Sequence, residues 1–353
     1  MSEILDDRTR FRNDLEFAKS MDDADALKGY RQQFLFPQHN GKEVIYFTGN
    51  SLGLQPKTTQ NYIQQELDDW AKYGVEGHFL SKYPWLSYHE FLTDKMAKLV
   101  GALPIETVMM NQLTVNLHLL MVSFYRPTKQ RYKILCEAKA FPSDQYALQS
   151  QLKFHGYSIE EGLIEIEPRE GEYHIREEDI LSAIQNNQES LALVMIGGVN
   201  YFTGQVFDMK AITEAGHNVG AIVGFDLAHA AGNIKLELHN WKVDFAAWCS
   251  YKYLNSGPGS VAGAFVHEKH LNNTELPLFA GWWGHDKKTR FLMGGEFVPM
   301  LTAERWQLSN APVFSMAACR ASLDIFDEVG MDALINKSTQ LVAYLEFIST
   351  SIP

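Results

Sequence analysis

The sequence predicts an α/β fold, in which a mostly parallel β-sheet is sandwiched by helices, and three observations support that prediction. Short apolar runs recur between amphipathic segments, so strands and helices alternate along the chain. Several runs, such as 191–199 and 221–228, are apolar at nearly every position, which is typical of parallel strands covered on both faces. The length of 353 residues, with 46% hydrophobic and 21% charged residues, suits one large domain plus part of another.

The periodicity places the elements in order. The predicted strands are 44–50, 106–112, 132–137, 191–199, 221–228, 245–252 and 262–267. The predicted helices are 57–73, 85–100, 114–125, 143–155, 177–187, 207–219, 315–328 and 331–349. Between 268 and 312 the pattern breaks into stretches rich in Gly, Pro and Trp, which we interpret as long functional loops.

Composition narrows the class of protein. The net charge of −12 argues against general binding to nucleic acids or anionic membranes. No apolar run reaches the length of a membrane span, and the polar, acidic N-terminus does not resemble a secretory signal. Cys136, Cys249 and Cys319 lack metal-ligand spacing and are expected in the core, as in a reducing cytoplasm. We therefore expect a cytoplasmic protein without a metal site.

Lys252 is the most unusual residue, because it ends the apolar run FAAWCSYK. A buried ammonium is costly unless it is paired or loses its charge. One way to bury it is as an imine with an aldehyde cofactor. The alternative is a lysine whose ammonium reaches solvent from a strand end.

Further candidates stand at the ends of other predicted strands, where ligands collect in parallel sheets. Asp226 and His229 follow 221–225; Asp226 either caps a helix or pairs with a protonated pyridine nitrogen. Thr114 begins a helix, as a cap, as part of a phosphate site, or as both. Phe141 could stack on a flat cofactor, and Asp144 lies beside it. No Walker or GxGxxG motif is present, which disfavours ATP and dinucleotides.

Six segments in order carry a resemblance to a known family. They are GNSLGLQP (49–56), LTVNLHLL (113–120), AKAFPSDQYA (138–147), GFDLAHAAGN (224–233), WCSYKYLNSGPG (248–259) and GWWGH (281–285). Together they resemble kynureninases, which are fold-type-I enzymes dependent on pyridoxal 5'-phosphate and related to class-V aminotransferases. The likeness runs from about residue 10 to the end of the chain.

The resemblance implies a role for each matching residue. Lys252 would form the imine and remove the substrate α-proton, and Tyr251 would assist proton transfer. The implied cofactor-binding residues are Leu113, Thr114, Phe141, Pro142, Ser143, Asp144, Asp226, His229, Tyr251, Lys252, Trp282 and Asn310. Trp282 and Asn310 match positions that reach the phosphate from a second subunit, so a homodimer with shared active sites is implied. His78, His285 and Ser309 match positions associated with the aromatic substrate.

The implied reaction is hydrolysis of L-kynurenine, or its 3-hydroxy form, to anthranilate, or 3-hydroxyanthranilate, and L-alanine, in tryptophan degradation and NAD biosynthesis. The alternatives are a truncated cofactor-binding protein with little activity, or a related aminotransferase or cysteine desulfurase. A desulfurase needs an exposed cysteine, and Cys319, the candidate, lies in a helical pattern. Gly197 departs from the family, where serine or threonine is usual, and no residue matches the arginine that binds the substrate carboxylate.

The domain prediction follows from the same pattern. We expect an N-terminal segment at 1–40, a large pyridoxal-phosphate-binding α/β domain at 41–300, and the start of a small C-terminal domain at 301–353. The sequence stops shortly after a helix, so this last domain is expected to be incomplete.

Overall fold

A seven-stranded sheet forms the centre of the computed structural model, which describes residues 11–352. Its strands are β1 (Thr107–Met109), β2 (Lys133–Glu137), β3 (Leu163–Ile166), β4 (Leu191–Gly197), β5 (Ile222–Asp226), β6 (Phe245–Trp248) and β7 (Gly263–Val266). They lie side by side in the order β1-β7-β6-β5-β4-β2-β3. Neighbours from β6 to β3 pair in parallel, whereas β7 is antiparallel to both β6 and β1. The predicted, mostly parallel sheet is confirmed.

Helices flank this sheet. They are α1 (Leu15–Ala24), α2 (Thr59–Tyr73), α3 (Gly77–Leu80), α4 (Glu90–Val100), α5 (Leu113–Phe124), α6 (Pro142–Phe154), α7 (Ile159–Gly162), α8 (Glu177–Asn186), α9 (Met209–Asn218), α10 (Glu268–Leu271), α11 (Val313–Val329) and α12 (Met331–Thr350). Short 3-10 turns and two pairs of two-residue strands, Phe34–Leu35 with Gln55–Pro56 and Gln38–His39 with Lys42–Glu43, complete the elements.

Successive residues of each strand enter different cores on the two faces of the sheet. In β4, Val194 and Ile196 pack in one core, with residues of α4, α8, α9 and α11. Leu193 and Met195 pack in the other, with residues of α5 and α6. Because both faces are covered, the strand is apolar throughout, which is why its sequence lacks the alternation of a half-exposed strand.

Some sequence predictions were wrong at the level of single elements. Residues 44–50 form no strand, and Ile45 and Phe47 there are largely exposed. β3 was not predicted, because its sequence LIEI is short and partly polar. β6 ends at Trp248, so Lys252 lies in the turn that follows the strand rather than at the end of it.

Residues 1–10 of the predicted N-terminal segment, and Pro353, lie outside the described range. The domain boundaries at 40 and 300 stay predictions. Helix α11, beyond the second boundary, packs on α2 and α4 of the preceding region. Cys136, Cys249 and Cys319 are buried, as expected. In the stretch from 11 to 352, every helix is too short or too polar to cross a bilayer.

Candidate functional site

A cavity of about 260 Å³ opens at the carboxyl ends of β2, β4 and β5. Its lining is Gln112, Leu113, Thr114, Glu137, Phe141, Ser143, Asp144, Gly197, Val199, Tyr201, Asp226, Ala228, His229, Tyr251 and Lys252. Nine of the residues predicted to bind the cofactor are in this set, although they come from four separate parts of the sequence. Pro142, a tenth, is the first residue of α6 and stands between two lining residues. Parallel strands bring their carboxyl ends to one edge, which is why these distant segments meet.

Lys252 projects its amine into this cavity. Its Nζ lies 2.9 Å from Nε2 of His229 and 5.7 Å from the centre of the Phe141 ring. The side chain is half-buried, so the expectation of a deeply buried lysine was too strong. Burial and the charge of Lys252 lower the pKa of His229 to about 4, so the imidazole is neutral at neutral pH and accepts the hydrogen bond.

The backbone around Lys252 is held by the segment 49–56, another part of the family resemblance. The Gly53 N–H donates to the carbonyl oxygen of Tyr251 at 2.8 Å. A Cβ at Gly53 would overlap the carbonyl oxygen of Lys252 and the Asn255 side chain. A glycine is therefore required for this close approach of two loops.

Asp226 and Asp144 form a buried carboxyl pair at one side of the cavity. The Asp226 carboxylate accepts the Ala228 N–H at 2.6 Å, and Asp144 is its side-chain hydrogen-bond partner. Burial raises the pKa of Asp226, whereas the hydrogen bonds from Ala228 and Asp144 and the charge of Lys252 lower it. Burial and the neighbouring Asp226 raise the pKa of Asp144 well above its usual range. Asp144 is thus the protonated donor, and Asp226 is the acceptor with the greater tendency to be anionic.

The beginning of α5 forms another side of the cavity. The helix starts at Leu113, and Gln112, its cap residue, makes no side-chain hydrogen bond to the first turn. The alternative that Thr114 is the cap residue is therefore wrong, because Thr114 is already inside the helix. Uncapped N–H groups at the start of a 12-residue helix form a suitable binding site for a phosphate.

Tyr251 precedes Lys252 and also lines the cavity. Burial, with a smaller effect of Cys249, raises the pKa of Tyr251 to about 12. The phenol keeps its proton at neutral pH and can act as a proton donor.

Sequence reasoning missed several lining residues. Glu137 ends β2 just as Asp226 ends β5, and this position at a strand end is the signal that could have found it. Tyr201, in the loop after β4, meets the Phe141 ring edge-on with centroids 5.3 Å apart. Gln112, Val199 and Ala228 carry no distinguishing chemistry in the sequence.

The remaining predicted site residues lie elsewhere in the part of the chain that is described. Trp282 donates its Nε1–H to the carbonyl oxygen of Arg290 at 3.2 Å, and His285 Nε2 is 2.9 Å from the Thr289 hydroxyl. His78 Nδ1 is 3.0 Å from the carbonyl oxygen of Val75. Ser309 and Asn310 are exposed. One chain alone does not bring these five side chains, His78, Trp282, His285, Ser309 and Asn310, to the cavity.

Glu106, His239 and His267 form one of two groups of possible metal ligands in residues 11–352, the other being His89, Glu90 and Glu304. The imidazole rings of His239 and His267 are stacked with planes only 7° apart, so their nitrogen lone pairs lie in two parallel planes and do not converge on one ion. Glu106 also accepts the backbone N–H groups of Leu103 and Glu268. This arrangement favours a structural role over metal binding.

The cavity's donor groups fit pyridoxal phosphate. Lys252 offers an amine for the aldehyde, the start of α5 offers N–H donors for the phosphate, and Asp226 offers a buried carboxyl for a protonated ring nitrogen. The half-exposed Phe141 offers an aromatic face. These groups surround one volume, as a single flat cofactor requires.

Comparisons with known proteins agree with this fit. The sequence profile of the aminotransferase class-V family matches residues 45–351. The kynureninase of Flavobacterium psychrophilum is 63% identical over 338 residues, covering 96% of this chain and 80% of the relative. That of Myxococcus xanthus is 58% identical over 344 residues, covering 97% and 81%. That of Nematostella vectensis is 52% identical over 345 residues, covering 94% and 74%.

Solved structures resemble this chain in fold alone, because their sequence identities are low. The cysteine desulfurase CsdA of Escherichia coli superposes with a TM-score of 0.68 at 16% identity, covering 86% of this chain and 72% of that one. The cystine C-S lyase C-DES, in complex with cysteine persulfide, gives a TM-score of 0.67 at 18% identity, with coverage of 81% and 72%.

Proposed function

Because the chain belongs to the kynureninase family within aminotransferase class V, we propose that it hydrolyses L-kynurenine, or 3-hydroxy-L-kynurenine, with pyridoxal phosphate as cofactor. The products are anthranilate, or 3-hydroxyanthranilate, and L-alanine. The observation that carries this proposal is the meeting of the Lys252 amine, the uncapped start of α5 and buried Asp226 around one cavity.

When bound, pyridoxal phosphate supplies an aldehyde for an amine and an electron-poor ring that stabilises negative charge at the substrate α-carbon. Lys252 would be the amine that holds the aldehyde carbon, and Asp226 would pair with the ring nitrogen. Leu113 and Thr114 would bind the phosphate through backbone N–H groups. Phe141 would offer its aromatic face to the ring.

Lys252 would also be the base that takes the substrate α-proton, a role that requires its neutral amine form. His229, a neutral acceptor 2.9 Å from Nζ, orients this amine. Water adds to the substrate γ-carbonyl, the Cβ–Cγ bond breaks to release the aromatic acid, and Tyr251 would donate a proton to the β-carbon, since its phenol remains protonated at neutral pH. Ser143 and Pro142 position Asp144 in the first turn of α6.

The decisive experiment follows anthranilate fluorescence when protein and cofactor are given L-kynurenine. We expect turnover by the wild type and by Lys57→Ala, an exposed control, and none above background by Lys252→Ala. Borohydride reduction followed by peptide mass spectrometry should attach the cofactor to Lys252. Labelling of a different lysine, or fluorescence unchanged in Lys252→Ala, would reject the assignment.

A cysteine desulfurase is the rival activity, since proteins of that class share the fold. Cys319 is fully buried in α11, and burial raises its pKa to about 11, so it offers no accessible thiolate. We therefore expect no sulfide release from L-cysteine under conditions in which L-kynurenine is cleaved.

The assembly is proposed as a homodimer in which Trp282 and Asn310 complete the partner's phosphate site, and His78, His285 and Ser309 contact the aromatic substrate. Trp282 is 45% exposed and Asn310 is also exposed, so both are available to a second subunit. Mixing Lys252→Ala with Asn310→Ala protein tests this sharing, because a hybrid dimer regains one intact site. Two inactive proteins that stay inactive after subunit exchange would contradict it.

Two finer statements complete the proposal. We place the protein in the cytoplasm, because its three buried cysteines are free thiols that serve as core residues, which is usual in a reducing compartment. We place its reaction in tryptophan degradation and NAD biosynthesis. Fractionation of the source cells, and metabolite analysis after loss of the gene, test the two statements separately.

A further inference from the structure

A third buried carboxyl, that of Glu137, lies in the wall of the proposed cofactor site. Glu137 is the last residue of β2 and is 4% exposed. Its Oε1 and Oε2 lie 3.2 Å and 3.3 Å from the backbone nitrogen of Gly197, whose N–H they share as acceptors. The roles assigned above to Asp144, Asp226 and Lys252 make no use of it.

Gly197 explains how Glu137 comes to face the other acids. Its strand, β4, lies between β2 and β5, and Gly197 pairs in register with Asp226. A Cβ on Gly197 would lie 3.0 Å from Oε1 of Glu137, closer than most real contacts. Because Gly197 has no side chain, the Glu137 carboxyl has room at the same end of the sheet as Asp226, the last residue of β5.

The charges around Glu137 are unbalanced. Asp226 on β5 and Asp144 on α6 are the acids near it, and Lys252 supplies the cation of the cavity. His229 is neutral, and Tyr251 and the buried Cys136 keep their protons because burial raises both pKa values. Three anionic carboxylates against one ammonium would repel each other in a buried site, so the group must retain protons.

We propose that Glu137 is a positioning residue for the cofactor: its carboxyl lies in the cavity wall with the Asp144–Asp226 pair, and its own gain or loss of a proton sets how much negative charge faces the cofactor ring. This inference rests on the proposed cofactor site, but it concerns the protonation of the acids rather than the cleavage of kynurenine. Asp144 keeps a proton and donates to Asp226, whereas Glu137 gains or loses its proton near neutral pH. Burial is the main cause, raising the pKa of Glu137 from 4.5 to about 7.

The protein without cofactor gives the first test, by urea unfolding at several pH values. Between pH 4.5 and 7 the carboxyl ionises in the unfolded chain but stays protonated in the folded one, so the wild type loses stability as pH rises through this window. Glu137→Gln lacks this loss. The ratio of its folding equilibrium constant to that of the wild type should rise by about 100-fold between pH 4.5 and 7.5 and then stay constant.

Glu165→Gln is the matched control. Glu165 lies on the adjacent strand β3, is exposed, and bonds Gln145 at 2.9 Å, so this variant removes the same charge outside the cavity. We expect its stability to follow the wild type at every pH. A Glu137→Gln curve that also runs parallel to the wild type would overturn the proposal.

The cofactor-bound protein gives the second test. The number of protons taken up or released when pyridoxal phosphate binds is measured by calorimetry in buffers of different ionisation enthalpy. In the wild type this number should change around pH 7, and in Glu137→Gln the change should vanish. If kynurenine is not cleaved but this difference appears, the proposed reaction fails while the role of Glu137 stands.

Gly197→Ala covers the case in which Glu137→Gln does not fold. The added Cβ presses on Oε1 of Glu137 without removing any charge. We expect a folded protein, verified by circular dichroism, in which the proton uptake near pH 7 shifts by a measurable fraction of a pH unit. If proton uptake is unchanged in this variant, the Glu137 carboxyl beside Gly197 is not the group that takes up the proton near pH 7.

Discussion

The Lys252 amine donates a hydrogen bond to Nε2 of His229 across 2.9 Å, joining the segments that follow two neighbouring parallel strands, β5 and β6. The lowered pKa of His229, about 4, makes its ring a neutral acceptor over the whole range in which the protein would work. The two residues are separated by 22 others in the sequence. Their contact holds the amine in the cavity, beside the Phe141 ring.

Removing this acceptor should weaken cofactor binding. His229 lines the cavity and is among the residues implied to bind the cofactor, so His229→Ala should raise the dissociation constant of pyridoxal phosphate by about two- to tenfold, the effect of losing one hydrogen bond. Absorbance titration of the cofactor-free protein measures this. His174→Ala, at an exposed histidine, is the control and should bind normally. If the activity of the wild type changes between pH 6 and 7 and that of His229→Ala does not, His229 titrates in this range and is not the neutral acceptor described.

Tyr251→Phe isolates the phenol hydroxyl. Because burial raises the pKa of Tyr251 to about 12, the wild-type hydroxyl is a proton donor at neutral pH, and phenylalanine keeps the ring but not the proton. Loss of a general acid costs about 10²- to 10⁴-fold in rate, and we expect kcat to fall by that factor when it is measured at saturating pyridoxal phosphate. Stopped-flow measurement of anthranilate release checks it. Turnover at the normal rate would remove Tyr251 from the mechanism.

Thr114 tests the phosphate site at the start of α5. Thr114→Ala keeps the backbone N–H donors at the start of the helix, so its affinity for pyridoxal phosphate should stay within about fivefold of the wild type. Thr114→Asp places a negative charge beside the phosphate and should weaken binding by more than about tenfold, because two like charges then share the uncapped helix end. Thr128→Asp, at an exposed threonine, is the charge control. Pyridoxal without phosphate should bind all four proteins with similar affinity.

Much of the site could be predicted from the sequence because parallel strands place their carboxyl ends together. Asp226, Thr114 and Phe141 were identified as residues that follow a predicted strand or begin the next helix, and the structure brings them to one cavity. Glu137 obeys the same rule and was missed, since a glutamate at the end of a strand is usually at the surface. Its burial depends on the missing side chain of Gly197, a contact between strands that periodicity does not encode.

The errors in the predicted strands have a similar origin. The run at 44–50 has the composition of a strand, but no neighbouring strand is available to it, and Phe47 remains 89% exposed. β3 lies at the edge of the sheet, where a short and partly polar sequence is sufficient. Hydrophobic pattern reports which residues can be buried, whereas strand pairing is decided by the rest of the fold. Trp282 and Asn310 illustrate a further limit, because in the proposed homodimer they would reach the phosphate site of the other subunit, which one chain alone does not form.

The opposite end of the sheet offers a prediction about stability alone. Asp244 precedes β6 and is 1% exposed. Its oxygens accept from the Val223 N–H at 2.7 Å and from Nε2 of both His217 and His270 at 2.8 Å, and Lys269 Nζ lies 2.6 Å away. These partners outweigh the effect of burial and hold the pKa of Asp244 well below its usual range.

Asp244→Asn should therefore destabilise the protein by about 1.5–3 kcal/mol at pH 7, because the buried carboxylate loses the charge that strengthens its hydrogen bonds with His217 and His270 and its pair with Lys269. Urea unfolding of the cofactor-free protein measures the loss. Asp332→Asn, which breaks the exposed pair with Lys235, is the control and should cost less than about 1 kcal/mol. A loss for Asp244→Asn as small as this control would contradict a buried charge cluster.

The pH dependence follows from the lowered pKa. A carboxyl whose folded pKa lies below its unfolded value, about 3.9, stabilises the folded state above that value and loses this contribution as pH falls further. The difference between wild type and Asp244→Asn should thus be constant from pH 8 to about 5 and shrink below about pH 4. Because Asp244 lies at the amino end of β6, away from the cavity at the carboxyl ends, the folded variant should bind pyridoxal phosphate with wild-type affinity.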